Sequence, residues 1–153
     1  MLDQIKKEVE LLASSEDFKN FKKEHEEAYL CSCFLLGKNW QIDFFSPTTK
    51  QIASFSNKKI VNLESKTLSG ATPDLKELKL TEVKIPLEEA LNLIKKQHPE
   101  EKVNESIIIL QTNETSPIWN ITQLTASFKM LHSKINAKTK EIIEEKISPM
   151  FNF

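Results

Sequence analysis

The stretch YLCSCFLLGKNWQIDF, residues 29–44, decides the fold class. Tyr29 to Leu36 is apolar on both faces, as suits a central strand. Gly37-Lys38-Asn39 supplies a tight turn. Trp40, Ile42 and Phe44 then alternate with Gln41 and Asp43, the period-two pattern of a half-buried strand. Ser46-Pro47-Thr48-Thr49-Lys50 is a second turn, with proline suited to its first central position. Ile52 to Phe55 begins a third strand, extended towards Val61, so residues 29–61 read as an antiparallel meander.

Upstream the period lengthens. Leu2, Ile5, Val9 and Leu12 recur at three and four residues, the spacing of one helix face. Ser14 and Ser15 interrupt. Either can cap a new helix, with Glu16 and Asp17 favourably placed in its first turn. Phe18, Phe21, His25 and Ala28 mark a second apolar stripe. The spacing predicts two helices, or one kinked helix, over 2–27.

Downstream the signal weakens. Residues 62–85 read as a loop joining two halves, with Gly70 and Pro73 in its least patterned part and Leu78-Lys79-Leu80 as a short edge strand. Pro86 opens the next helix where its missing N–H costs nothing. Leu87, Ala90, Leu91 and Ile94 form its buried face, and His98-Pro99 ends it. Residues 105–111 read as a buried strand, and 118–124, 127–135 and 141–147 as a second meander, before a short tail, 148–153. Residues 1–153 are therefore expected to form one α+β domain: antiparallel sheet meanders packed by the N-terminal helices and one central helix. The halves, 1–61 and 86–147, share a plan of helix then meander. They also share a turn ending in T-K-[QE]-I, at Ser46–Ile52 and Asn136–Ile142. Internal duplication and two ordinary hairpins both account for that likeness.

Glu88-Glu89-Ala90-Leu91, then Trp119-Asn120-Ile121-Thr122, then Lys134-Ile135-Asn136-Ala137-Lys138-Thr139-Lys140-Glu141-Ile142-Ile143 carry a resemblance. Over about 86–146 the chain resembles a PepSY-type module, in which a helix with an E-E-A-L-like stretch precedes a sheet ending in a hairpin of the form I-D-A-x-T-G-E-I. A cruder version covers 29–56. Asn136 stands where Asp is usual and Lys140 where Gly is usual, so this turn is expected to be less tight than in the family. The resemblance implies a PepSY/cystatin-like fold and a non-catalytic module that regulates peptidases or binds other proteins. It brings no catalytic residues.

Composition narrows the chemistry. Formal charge is −1, and all 21 basic side chains are Lys; there is no Arg. Such a balance gives no long-range attraction to nucleic acid or to an anionic membrane, and the lack of Arg argues against bidentate clamping of phosphate or guanine. Only Gly37 and Gly70 are present, which excludes a glycine-rich phosphate loop. The first residues lack the apolar core of a signal peptide, and no apolar run approaches the length of a spanning helix. A cytoplasmic protein is expected, with Cys31 and Cys33 reduced.

Cys31-Ser32-Cys33 on a strand would put both thiols on one face, half of a zinc site that His25, His98 or His132 could complete. Core packing is the alternative, since free Cys is among the most buried residue types. A Cys31–His132 nucleophile–base pair would need the two to meet in space. Trp40, Phe44, Phe45, Trp119 and Phe128 could line a groove or pack under a helix. An exposed binding patch is expected at Trp119, Phe128 and Met130. The reading is a non-enzymatic protein-binding or accessory module without a cofactor, its partner another protein or a second copy paired through a sheet edge. The alternative is a small-ligand-binding protein or enzyme using a helix–sheet pocket.

Overall fold

The computed structural model describes residues 2–65 and 75–150, apart from the side chains of residues 2, 3 and 65. The Leu2 side chain, the loop centre with Gly70 and Pro73, and the tail from Phe151 to Phe153 lie outside the described residues.

The N-terminal stripes form two helices, α1 (Leu2–Ala13) and α2 (Glu16–Glu24). Ser15 caps α2, its hydroxyl oxygen accepting from the Phe18 N–H at 3.3 Å. The meander follows as β1 (Tyr29–Leu36), β2 (Asn39–Ser46), β3 (Gln51–Ser56) and β4 (Lys59–Ser65). After the loop come α3 (Leu87–Gln97), then β5 (Val103–Thr112), β6 (Pro117–Thr125), β7 (Lys129–Asn136) and β8 (Ile142–Pro149). All strand pairs are antiparallel in one eight-stranded sheet of order β4-β3-β2-β1-β5-β6-β7-β8. Each half is a meander, and the halves join where β1 pairs with β5.

Alternation sorts the sheet into two faces. Cys33, Leu35, Ile42, Phe44, Phe55, Ile108, Leu110, Trp119, Ile121, Leu131 and Ile135 form one core with Ile5, Leu12, Phe21, Leu87, Ala90 and Ile94 of the helices. All three α-helices thus pack on one face. Under α2 the core is aromatic: Phe18 lies 4.8 Å from Phe44 and Phe21 lies 5.6 Å from Phe55, centroid to centroid. Under α3, the Trp119 indole N–H donates to the Ile85 carbonyl at 2.8 Å and fixes the approach to the helix.

Several expectations are corrected. The third strand does not run on to Val61. Asn57 and Lys58, with φ of 51° and 66°, form a two-residue turn, and β4 returns as an edge strand through Ser65 where a loop was expected from residue 62. The positive φ at both central positions is the hairpin geometry that matches strand twist. Leu78-Lys79-Leu80 is no edge strand. The Leu78 N–H donates to the Leu30 carbonyl at 2.8 Å, and a single 3₁₀ turn follows at Leu80–Glu82. The last strand takes in Ser148 and Pro149, which were read as tail. Lys140 itself adopts the left-handed conformation, φ 76°.

The repeated plan is clearest at the helix ends. FKKEHEE at residues 21–27 parallels IKKQHPEE at 94–101. His25 and His98 are the C-caps of α2 and α3, with φ/ψ of −133°/64° and −134°/62°, and each caps N–H to carbonyl onto the residue four before it, Phe21 and Ile94. The T-K-[QE]-I turns, by contrast, join β2 to β3 and β7 to β8, which are not corresponding hairpins in a strand-for-strand match of the halves.

Candidate functional site

No helix packs on the second face of the sheet among the described residues. Its centre is apolar. Phe34 is paired with Ile109 and Leu36 with Ile107 across the β1–β5 junction. Phe34 and Ile109 are half-buried, while Leu36 is 49% and Ile107 40% exposed. Polar side chains flank this strip on both sides. On β2, Asp43 accepts from the Ser32 hydroxyl and from the Gln41 amide, each at 3.1 Å. On β6 and β7, Asn120 and Thr122 neighbour Lys134 and His132. The His132 Nδ1 lies 3.2 Å from the Thr122 hydroxyl. Glu144 on β8 meets Lys146 at 3.0 Å and Lys134 at 3.5 Å. The Lys146 ammonium, with Lys134 behind it, holds the Glu144 carboxyl below the usual carboxylate range.

The expected patch residues separate. Trp119 is fully buried on the helix face and belongs to no surface. Its parity on β6 puts it under α3, because Ile121 and Gln123 share its side. Met130 is half-buried and falls on the helix-free face by alternation with Leu131. Phe128 is 63% exposed in the β6–β7 turn, at φ 60°, and its carbonyl accepts from the Met150 N–H. Trp40, Phe44 and Phe45 are buried, so they line no groove. The Trp40 indole N–H is buried with no acceptor among the described residues.

Cys31 and Cys33 are buried and form no disulfide. Leu30 pairs with Phe44 and Ser32 with Asp43, so Cys31 is the extra residue of a β-bulge, and the alternation that would align the two thiols is broken there. Burial pushes the Cys33 thiol pKa up, and Asp43 and Cys31 act in the same direction. No group of three His, Cys, Asp or Glu side chains that could hold a metal occurs among the described residues. His132 cannot reach Cys31: β5 and β6 lie between their strands, a separation of roughly 14 Å at the usual strand spacing.

His25, Ser46 and Glu27 form a triad of residue types but not of roles. The Ser46 hydroxyl donates to Glu27 at 2.7 Å and lies 3.3 Å from His25 Nδ1. A serine nucleophile directs its proton to the histidine, with the carboxylate behind the imidazole. Here serine is central and fully buried. The contacts tie the end of α2 to the end of β2, and the Ser46 bond holds Glu27 below its ordinary pKa.

A cleft of about 490 Å³ opens between the C-terminal half of α3, the segment 98–103 and the sheet. Leu91, Ile94, Val103 and Leu131 give it apolar walls, and Ser106 and Gln123, paired across β5 and β6, enter its floor. At its margin His98 contacts Glu145 on β8, while Glu101 accepts from the Ser127 hydroxyl at 2.7 Å and from Lys129 at 3.0 Å. Those two donors lower the Glu101 pKa, Ser127 most. Neither this cleft nor the apolar strip was legible in the sequence, because both depend on which face the helices take.

No helix among the described residues is long and apolar enough to cross a membrane. No protein-family model matches the chain, and no curated protein matches it. Its structure is similar to the crystal structure of a putative lipoprotein from Clostridium difficile 630, with a TM-score of 0.58 and 13% identity, over 85% of this chain and 89% of that one. At that identity, what the two chains share is the fold: an antiparallel sheet packed against a few helices.

Proposed function

We propose that the chain is a non-enzymatic accessory module that binds another protein on the helix-free face of its sheet. The observation that carries this reading is the pair Leu36 and Ile107, exposed side by side on the two central strands with Phe34 and Ile109 beside them. An apolar centre ringed by Gln41, Asp43, Asn120, Thr122 and His132 has the core-and-rim composition of a protein interface. Pairing of two copies through the β8 edge is less favoured. Glu144 and Lys146 project from that edge, and Pro149 ends it, features that blunt strand addition.

A PepSY-type lineage is part of the proposal. Its support is the succession of α3 and a four-stranded meander whose final turn puts Lys140 in the backbone conformation that glycine favours. The cytoplasm is the compartment we assign, since thiols such as that of Cys33 stay reduced there.

The test is photo-crosslinking in native lysate, with benzoylphenylalanine placed at Leu36 or at Gln97. Gln97 is exposed on α3, on the opposite side of the molecule. The reading expects a discrete crosslinked protein from position 36 and none from position 97. Crosslinks at both positions alike, or at neither, would count against it.

A further inference from the structure

We propose that the cleft beneath the C-terminal half of α3 is a binding site for a small amphiphile that carries an apolar body, an amide-type group and a negative charge. Gln123 points to it first. The residue is 7% exposed, lines the cleft, and its carboxamide makes no hydrogen bond to any described residue. Trp40 Nε1 is the one fully buried side-chain N or O atom without a partner among the described residues, so the Gln123 amide reaches the open cleft, where a ligand can take both of its hydrogen bonds. Its free donor and acceptor sit side by side, so the group that satisfies both is one that also donates and accepts, as an amide does.

The surroundings define the rest of the ligand. Leu91, Ile94 and Leu131 offer apolar walls from helix and sheet together, and the volume of about 490 Å³ lies within the range of small-molecule sites. Two cations stand at the margin. Lys95 and Lys102 line the cleft, are exposed, and form no ion pair with a described residue. The nearby Glu101 and His98 are already committed, to Ser127 and Lys129 and to Glu145 respectively. Glu100 also lines the cleft without a partner among the described residues, so the uncommitted charge at the mouth is two cations against one carboxylate, a net positive charge that suits an anion. This site is independent of the helix-free face, since Gln123 and Leu131 belong to the opposite side of the sheet.

N-hexanoylglycine carries all three features and is the probe. Hexanoate lacks the amide, and N-hexanoylglycine methyl ester lacks the charge. Titration into the labelled protein, followed by two-dimensional NMR, reads the Gln123 side-chain amide and the backbone amides of Leu91 and Leu131. The expected result is saturable shifts at all three with N-hexanoylglycine, and binding about tenfold weaker with hexanoate or with the ester, the worth of one hydrogen bond or ion contact. In Gln123→Leu, which substitutes an apolar side chain of similar size, the fold should persist and the preference for the amide over hexanoate should vanish. No saturable shift at Gln123, or an amide preference unchanged in Gln123→Leu, overturns the proposal.

Discussion

Trp119 donates its indole N–H to the carbonyl of Ile85, 2.8 Å away, and so anchors the chain where it enters α3. Trp40 also lies on the second strand of its meander, in the first half, yet its N–H has no acceptor among the described residues. The two tryptophans should therefore respond differently to loss of the indole nitrogen. Trp119→Phe strands a carbonyl, whereas Trp40→Phe removes a donor that was unsatisfied. Both substitutions lose comparable ring volume, and Trp119→Phe is expected to cost about 2 kcal/mol more. Urea denaturation of the two variants measures the difference, and equal losses would show that the Ile85 bond contributes little.

Lys58 sits at φ 66° in the Asn57–Lys58 turn between β3 and β4. A side chain in the left-handed region carries a steric cost that glycine does not, and Asn-Gly is the favoured pair for this turn. Lys58→Gly is expected to stabilise the protein by about 1 kcal/mol. Thermal unfolding checks it; a lowered midpoint would mean that the lysine side chain contributes more than its backbone strain costs.

Three carboxylates set the acid response. Ser46 lowers the pKa of Glu27, Ser127 and then Lys129 that of Glu101, and Lys146 that of Glu144, each from an ordinary value of 4.5. A folded-state pKa below the unfolded one means that the unfolded chain binds more protons. The stabilisation is complete above the unfolded value and is lost as pH falls through the folded values. Stability should thus decline on acidification below pH 4.5. In Glu101→Gln the decline should be shallower. Urea midpoints between about pH 6 and pH 3 measure both slopes; identical slopes would remove Glu101 from the account.

Cys33 is fully buried and its thiol pKa is raised by that burial. The thiolate is the reactive form, so the side chain should be inert in the folded state. Labelling with an aromatic disulfide reagent is expected to modify Cys31 and Cys33 only on unfolding, at a rate that follows denaturant concentration. Rapid labelling of Cys33 in native buffer would contradict the packing described for β1.

Much of this architecture could be read from periodicity. The stripes of α1, α2 and α3 and the alternation in β2, β6 and β7 pass directly into the core, because burial on one face imposes a period. The β4 strand was hidden because Ile60, Val61 and Leu63, on an edge, are all exposed and show no alternation, and because Lys58 replaces the glycine that marks such a turn. The candidate site was hidden for a different reason. Tyr29–Leu36 is apolar at both parities, which fits a strand covered on two sides as well as one with an open apolar strip. Only the placement of all three helices against Cys33 and Leu35 leaves Phe34 and Leu36 facing outward. The same placement turns Trp119 inward and isolates Gln123, whose burial no local pattern announces.

Retention of a crosslinked partner by Ile107→Lys, beside the unfolding midpoint of the same sample, tests most directly whether the two faces of the sheet have separate duties. Ile107 is 40% exposed and lies outside the helix-packed core. A surface substitution of this kind is expected to change stability by no more than about 0.5 kcal/mol. The account predicts an unchanged midpoint together with loss of the partner captured through position 36. Undiminished retention by a folded Ile107→Lys protein would contradict it.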